Sequence, residues 1–270
     1  MGKHFCRLLF IIAYTSTVFG QRDAFSRLDS LEQVYLNDLN SAPTDTTLKR
    51  IHRFIKGVDD FEVKDSTYIT KKEFAVTNLI LLHGRSRKND SARYYHRQAM
   101  ASFKDKRQIA DAHRIRALVE FIDLNVDKAL YYYDQALEEA KHLKTDNFKN
   151  RILIDVSLFY RYAEDFESAQ QIIEEIKQVN TDSISPYTNY RIHYEDFYIK
   201  TQQENHSGAL EVLKQIDTSG ILDNPITFRG YHEAFVDAYI NLKQYDSALY
   251  HNDIAVHNPK SVASYSPIDD

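Results

Sequence analysis

Glycine, proline, cysteine and tryptophan are scarce in this chain. Seven glycines, five prolines, one cysteine and no tryptophan stand among 270 residues. Sandwiches and barrels need many tight turns, and doubly wound folds need glycine-rich phosphate loops, so neither class fits. One cysteine excludes a framework of disulfides within the chain. After residue 20 no apolar run is long enough to span a bilayer, which takes roughly 20 residues. What remains is ordinary soluble composition, 43% hydrophobic and 27% charged, with 19 tyrosines and 15 phenylalanines. It suits long helices joined by short polar links, with enough apolar material for one continuous array.

Residues 1–20 differ from the rest. Lys3, His4 and Arg7 precede the apolar run from Leu8 to Tyr14, and Val18-Phe19-Gly20 places short residues before Gln21. That order is the charged, apolar and small-residue pattern of a secretory signal, with cleavage expected between Gly20 and Gln21. Cys6 lies ahead of the apolar run, so it is not placed to carry a lipid. Removing the segment leaves 32 basic against 39 acidic residues, a net of −7. The expected location is the periplasm or the exterior.

From Thr44 to Ser185 there is no proline, and apolar residues recur at helical spacing. Leu48, Ile51, Ile55 and Val58 share one face. Thr70-Lys71-Lys72-Glu73 reads as a capping box opening a helix, with Gly84 as its stop. Ser185-Pro186 and Asn224-Pro225 each read as an N-cap followed by proline at the first helical position.

A repeat search carries more. Ala92, Ala129, Ala169, Ala209 and Ala248 each follow an Asp or Asn cap, at spacings of 37, 40, 40 and 39. Four residues after them come His96, Tyr133, Ile173, Leu213 and Asn252. Seven after come Ala99, Ala136, Ile176, Ile216 and Ala255. Positions i, i+4 and i+7 lie on one helix face, and the small residue lets a neighbouring helix approach. A weaker copy begins at Asp45. The pattern predicts six helical hairpins between about residues 25 and 257.

The segment from Ala238 to Ala248 resembles the tetratricopeptide repeat. Tyr239, Tyr245, Ala248 and Ala255 match its tyrosine, aromatic and two alanine positions, and Tyr160, Phe166, Ala169 and Ile173 match in an earlier copy. The period is 37–40 rather than 34, there is no Trp, and the copy around Ala209 carries extra residues between its helices. The resemblance implies an all-α fold, a right-handed α-solenoid of about six helical hairpins. It divides the chain into degenerate N-terminal hairpins at 21–84, repeats at 85–257 and a tail at 258–270. It further implies a concave groove that binds protein or peptide, lined by the first helix of each hairpin. The family's groove positions carry over to Arg114, Leu118, Arg151, Ile154, Leu158, Arg161, Tyr162, Glu233 and Asp237. The Lys-and-Asn clamp by which some repeats hold a peptide carboxylate is replaced here by Ile154 and Leu158, or by Arg114 and Leu118. A signal followed by such repeats also looks like the exported half of bacterial sensor kinases and regulators. The alternative expectation is therefore a periplasmic sensory portion, truncated before its membrane helix.

No catalytic motif accompanies this architecture. There is neither a phosphate loop nor a Gly-x-Ser-x-Gly elbow. His232-Glu233 starts like a zincin helix, but position 236 is valine. No enzyme activity, metal or other cofactor is expected. Tyr187, Tyr190, Tyr194 and Tyr198 form a stripe at steps of three and four, and Tyr131-Tyr132-Tyr133 a cluster. Tyrosines so placed serve packing or a recognition surface. From Arg85 to Arg116, ten Lys and Arg face three Asp, a net of +7. Those cations are either solvated faces or a patch for an acidic ligand, with Arg114 toward the groove and Arg116 toward a packed or lateral face. Overall acidity and export argue against nucleic acid.

Overall fold

The structure, a computed structural model, describes residues 25–39, 44–60, 65–143, 146–178 and 184–257. The predicted signal, its Gly20–Gln21 junction and the 258–270 tail lie outside them. Among the described residues there are twelve helices and no strand: α1 at 25–38, α2 Thr44–Asp60, α3 Ser66–Arg85, α4 Asn89–Ser102, α5 Lys106–Ile122, α6 Val126–Ala140, α7 Asp146–Tyr162, α8 Phe166–Gln178, α9 Pro186–Gln202, α10 His206–Lys214, α11 Pro225–Asn241 and α12 Tyr245–His257.

The chain divides into two compact units, ending and beginning at Glu139 and Ala140 inside α6. In the first, α2 packs on α3, and α3 packs on α4 and α5. Its core has two parts, one around Leu28, Ile51, Phe54 and Leu79 and one around Ile80, Ala112, Ile115 and Val119. In the second, α7 packs on α8 and α9, and α9 through α12 pack each on the next. Phe197, Leu213, Ala234 and Phe235 lie at the centre of its C-terminal part.

The repeat is written in the backbone as well as in the alanines. Three residues link α3 to α4, α5 to α6, α7 to α8, α9 to α10 and α11 to α12. The middle one is left-handed every time: Arg87, Leu124, Glu164, Glu204 and Lys243, at φ of 55–61°. Each of these N–H groups donates three residues back and the next N–H five back, as in Leu124 to Phe121 O at 2.9 Å and Asn125 to Glu120 O at 2.9 Å. That is the Schellman pattern, which satisfies the last carbonyls of a helix and turns the chain sharply. Five residues after each left-handed position comes the repeat alanine, and all five alanines are buried. Between α7 and α8 the Ser157 hydroxyl donates to the Ala169 carbonyl at 3.0 Å. The link before Ala209 has the same three residues as the rest, so the extra residues expected inside that copy lie after it, at 215–224.

Several local expectations are corrected. The helix assigned to Thr70–Glu73 starts a turn earlier, because the Asp65 side chain accepts from Thr67 N at 2.8 Å and caps it there. Glu73 is then buried in mid-helix, where it accepts the Lys104 backbone N–H at 3.1 Å. Gly84 is no stop. A Cβ there would stand 2.2 Å from Val119 Cγ2, so its role is to let α3 and α5 approach. Asn89 and Asp90 sit inside α4, whose N-cap is Lys88 without a side-chain bond. Ser185 and Asn224 do cap α9 and α11, with proline next, as their sequence predicts.

A tyrosine-walled cleft as candidate functional site

On α9, residues three and four apart share a face, and four tyrosines occupy it. Ring centroids of Tyr187 and Tyr190 are 6.5 Å apart, and those of Tyr190 and Tyr194 5.2 Å, both stacked. Tyr194 meets Tyr198 edge-on at 4.9 Å, and their hydroxyls are 3.1 Å apart. Burial raises the Tyr190 and Tyr194 hydroxyls above the ordinary phenol range, and the bond to Tyr198 adds to the second. They stay neutral donors at any physiological pH.

Opposite this wall lies α11. Tyr187, Tyr190 and Tyr194 with Ile226, Thr227, Arg229, Gly230 and Glu233 line a cleft of about 520 Å³. Gly230 faces it: a Cβ there would make ordinary contact, 3.5 Å from the Tyr194 hydroxyl and 3.6 Å from that of Tyr190, so a larger side chain is needed to fill the cleft. Glu233 Oε1 accepts from Arg229 Nε at 2.7 Å across one exposed turn. One turn on, desolvation and then repulsion by Glu233 raise the Asp237 carboxyl.

The far end of the tyrosine ladder carries a cation. The Arg161 guanidinium lies 5.1 Å over the Tyr198 ring and 4.8 Å over Tyr162. Its Nε donates to Glu195 Oε1 at 2.7 Å and Nη2 to Oε2 at 3.4 Å. Burial pushes the Glu195 carboxyl up against the pull of that arginine. Nearby, Arg191 Nη2 donates to Asp155 Oδ1 at 2.9 Å, and the fully buried Asp196 is held by Lys177 and by Lys200 at 3.1 Å.

The predicted groove residues fare unequally. Arg114 and Leu118 belong to the first unit and the other seven to the second. Glu233 lines the cleft, and Asp237 follows it on the same face of α11. Tyr162 is exposed, while Arg151 and Leu158 are half-buried. Ile154 is only 2% exposed and Arg161 is locked into its ion pair, so both serve the interior of the second unit. Of the predicted packing residues, Tyr239 packs against the core, but Tyr245 is 63% exposed in the first turn of α12.

Arg114 was expected to be a groove cation and is instead 7% exposed, its Nε donating to Asp111 Oδ1 at 2.8 Å. Arg116 is buried too, paired with Glu120 one turn on. Lys106 pairs with Glu139 at 2.6 Å and Lys88 with Asp45 at 3.5 Å. With Arg93 beside Asp90, five of the ten cations of the basic stretch are thus paired within the chain.

Two histidine pairs went unforeseen, because their members are 17 and 19 residues apart. His96 Nε2 lies 3.3 Å from His113 Nδ1, beside Tyr132, and burial pushes His96 down to about 3. His232 Nδ1 lies 3.0 Å from His251 Nδ1, and burial pushes His232 down to about 4. No three His, Cys, Asp or Glu among the described residues converge as a metal site would require. No helix among them is long and apolar enough to cross a membrane.

No family model and no curated protein sequence matches this chain. Its fold is shared. The crystal structure of BtubC (BKLC) from P. vanneervenii superposes with a TM-score of 0.61 at 13% identity, over 84% of this chain and 95% of that one. At that identity the likeness concerns the helical architecture alone.

Proposed function

We propose that this protein is an exported, non-enzymatic scaffold of the tetratricopeptide type, a right-handed superhelix that binds protein or peptide segments along the first helices of its hairpins. The observation that carries the reading is the cleft of about 520 Å³ between α9 and α11, the first helices of consecutive hairpins. Rigid tyrosines give large contact area at small entropic cost, which suits recognition of an extended chain. The size falls within the usual range for binding pockets, about 300–1,000 Å³. Export rests on the leader pattern of residues 1–20.

The test is selection of peptides from a random displayed library on the immobilised full chain. A matched selection uses Gly230→Leu, which fills the cleft and replaces a poor helix former by a good one. Peptides enriched on the wild type should lose binding to the variant. Enrichment that survives Gly230→Leu unchanged would refute the cleft as the binding surface.

A further inference from the structure

The ladder of tyrosines on α9 carries a buried guanidinium at one end and opens into the cleft at the other. At the buried end a guanidinium lies on the Tyr198 ring and forms two bonds to the Glu195 carboxylate. At the cleft end ring faces and a carboxylate recur, and the arginine there, Arg229, is half exposed at the lining. Tyr187, Tyr190 and Tyr194 supply ring faces, and Glu233 supplies a carboxylate. Glu233 is held by one exposed pair to Arg229, each about half exposed. Asp237, one turn on, pairs with no cation among the described residues, and desolvation and Glu233 both disfavour its charge. Tyr190 is 93% buried, by its 7% exposure, and its hydroxyl opens toward Gly230 with no hydrogen-bond partner among the described residues.

Charge favours the same occupant. Residues 140–270 hold 12 Lys and Arg against 20 Asp and Glu, a net of −8, whereas residues 1–139 hold 22 against 19. An acidic ligand would meet Glu233 and Asp237 with like charge. An apolar one would desolvate Glu233 and leave the Tyr190 hydroxyl unpaired. A planar guanidinium meets all three demands: it stacks on a ring, donates to carboxylates in a fork, and is weakly hydrated, so it enters more readily than an ammonium.

We propose that the α9–α11 cleft takes an arginine side chain of an extended basic peptide, its guanidinium against the tyrosine wall and its N–H groups on Glu233. Asp237 adds long-range attraction. The inference rests on the cleft being a peptide site, and the experiment separates the two. Fluorescein-labelled Ala-Arg-Ala-Arg-Ala amide is titrated into the full chain by anisotropy, beside the same peptide with citrulline, the neutral isostere, in place of both arginines. The arginine peptide should bind at least about tenfold more tightly at low salt, and this margin should shrink as salt is raised, because screening weakens exposed charge pairs. Glu233→Gln with Asp237→Asn should erase the margin. Arg229→Gln, which frees Glu233, should widen it about threefold. Gly230→Leu should abolish binding of both peptides. Equal binding of the two peptides, abolished by Gly230→Leu, overturns the cation and leaves the cleft as a peptide site. Arginine-peptide binding that survives Gly230→Leu, or no binding at all, overturns the proposal at this cleft altogether.

Discussion

Leu124 shows what a single residue does in this fold. It is 83% exposed and held at φ 61°, a left-handed conformation that costs a residue with a Cβ roughly 1 kcal/mol. Leu124→Gly should raise stability by about 0.5–1 kcal/mol in urea titrations, because glycine adopts that conformation freely and no packing is lost. Leu124→Val should lower it. A contrast of the same kind holds at the repeat alanine. Ala169 is fully buried and Glu167 exposed. Ala169→Arg should cost about 3 kcal/mol or more through overpacking and a stranded charge, and Glu167→Ala less than about 0.5 kcal/mol. Equal shifts in the denaturation midpoint would contradict this register. The alanines were legible because size recurs in the sequence. The left-handed links were not, because Arg, Leu, Glu and Lys stand where glycine or asparagine would have announced them.

Pairs of helices carry the next set of expectations. Gly84 admits Val119 where α3 meets α5. Gly84→Ala should destabilise by about 1–3 kcal/mol, and Val119→Ala in the same chain should recover part of the loss, a coupling that a double-mutant cycle measures. The histidine pairs bind α4 to α5 and α11 to α12. His232 titrates at about 4 and His96 at about 3 when folded, against 6.5 for free imidazole, so the unfolded chain takes up more protons on acidification. Their contribution is therefore intact above about pH 6.5 and declines as the pH falls from there toward 4. His232→Phe with His251→Phe should gain on the wild type in urea midpoint below pH 6.5, relative to their difference at pH 8. A constant difference would mean that the pair takes up protons equally in the folded and unfolded states, and so is not shifted by burial. Helix periods and the proline caps at Ser185 and Asn224 could be read from sequence, since cap chemistry is local. The cleft could not, because it depends on α11 presenting Gly230 to tyrosines about 40 residues away. The role of Glu73 was hidden likewise, since its partner is the distant backbone of Lys104.

For the whole molecule, five of the six hairpins followed from the spacing of five alanines, while the sign of the proposed binding surface did not. Counting charges along the chain pointed to the basic stretch before Arg116, yet Arg114 and Arg116 are neutralised by acids three and four residues away. The acidic excess lies instead in residues 140–270, the unit that contains the cleft. The proposed export makes a further expectation at this scale: protein recovered from a secreted or periplasmic fraction should begin at Gln21, and a chain there that retains residues 1–20 would refute the leader reading.

The three-residue links within hairpins keep phase, whereas the links between hairpins absorb length, from 103–105 to 215–224. The chain therefore has permissive and forbidden places for inserted sequence. Gly220 sits in the longest link, at φ 75° with no atom within 4 Å of where its Cβ would stand. A ten-residue glycine-serine insert after Gly220 should cost only about 0.6 kcal/mol, the entropy of doubling a loop. The same insert after Leu124 breaks the carbonyl capping of α5 and rotates Ala129 off its seat, and should lower stability several times as much. A reporter domain placed after Gly220 would then ride on the second unit without disturbing the register of the hairpins on either side.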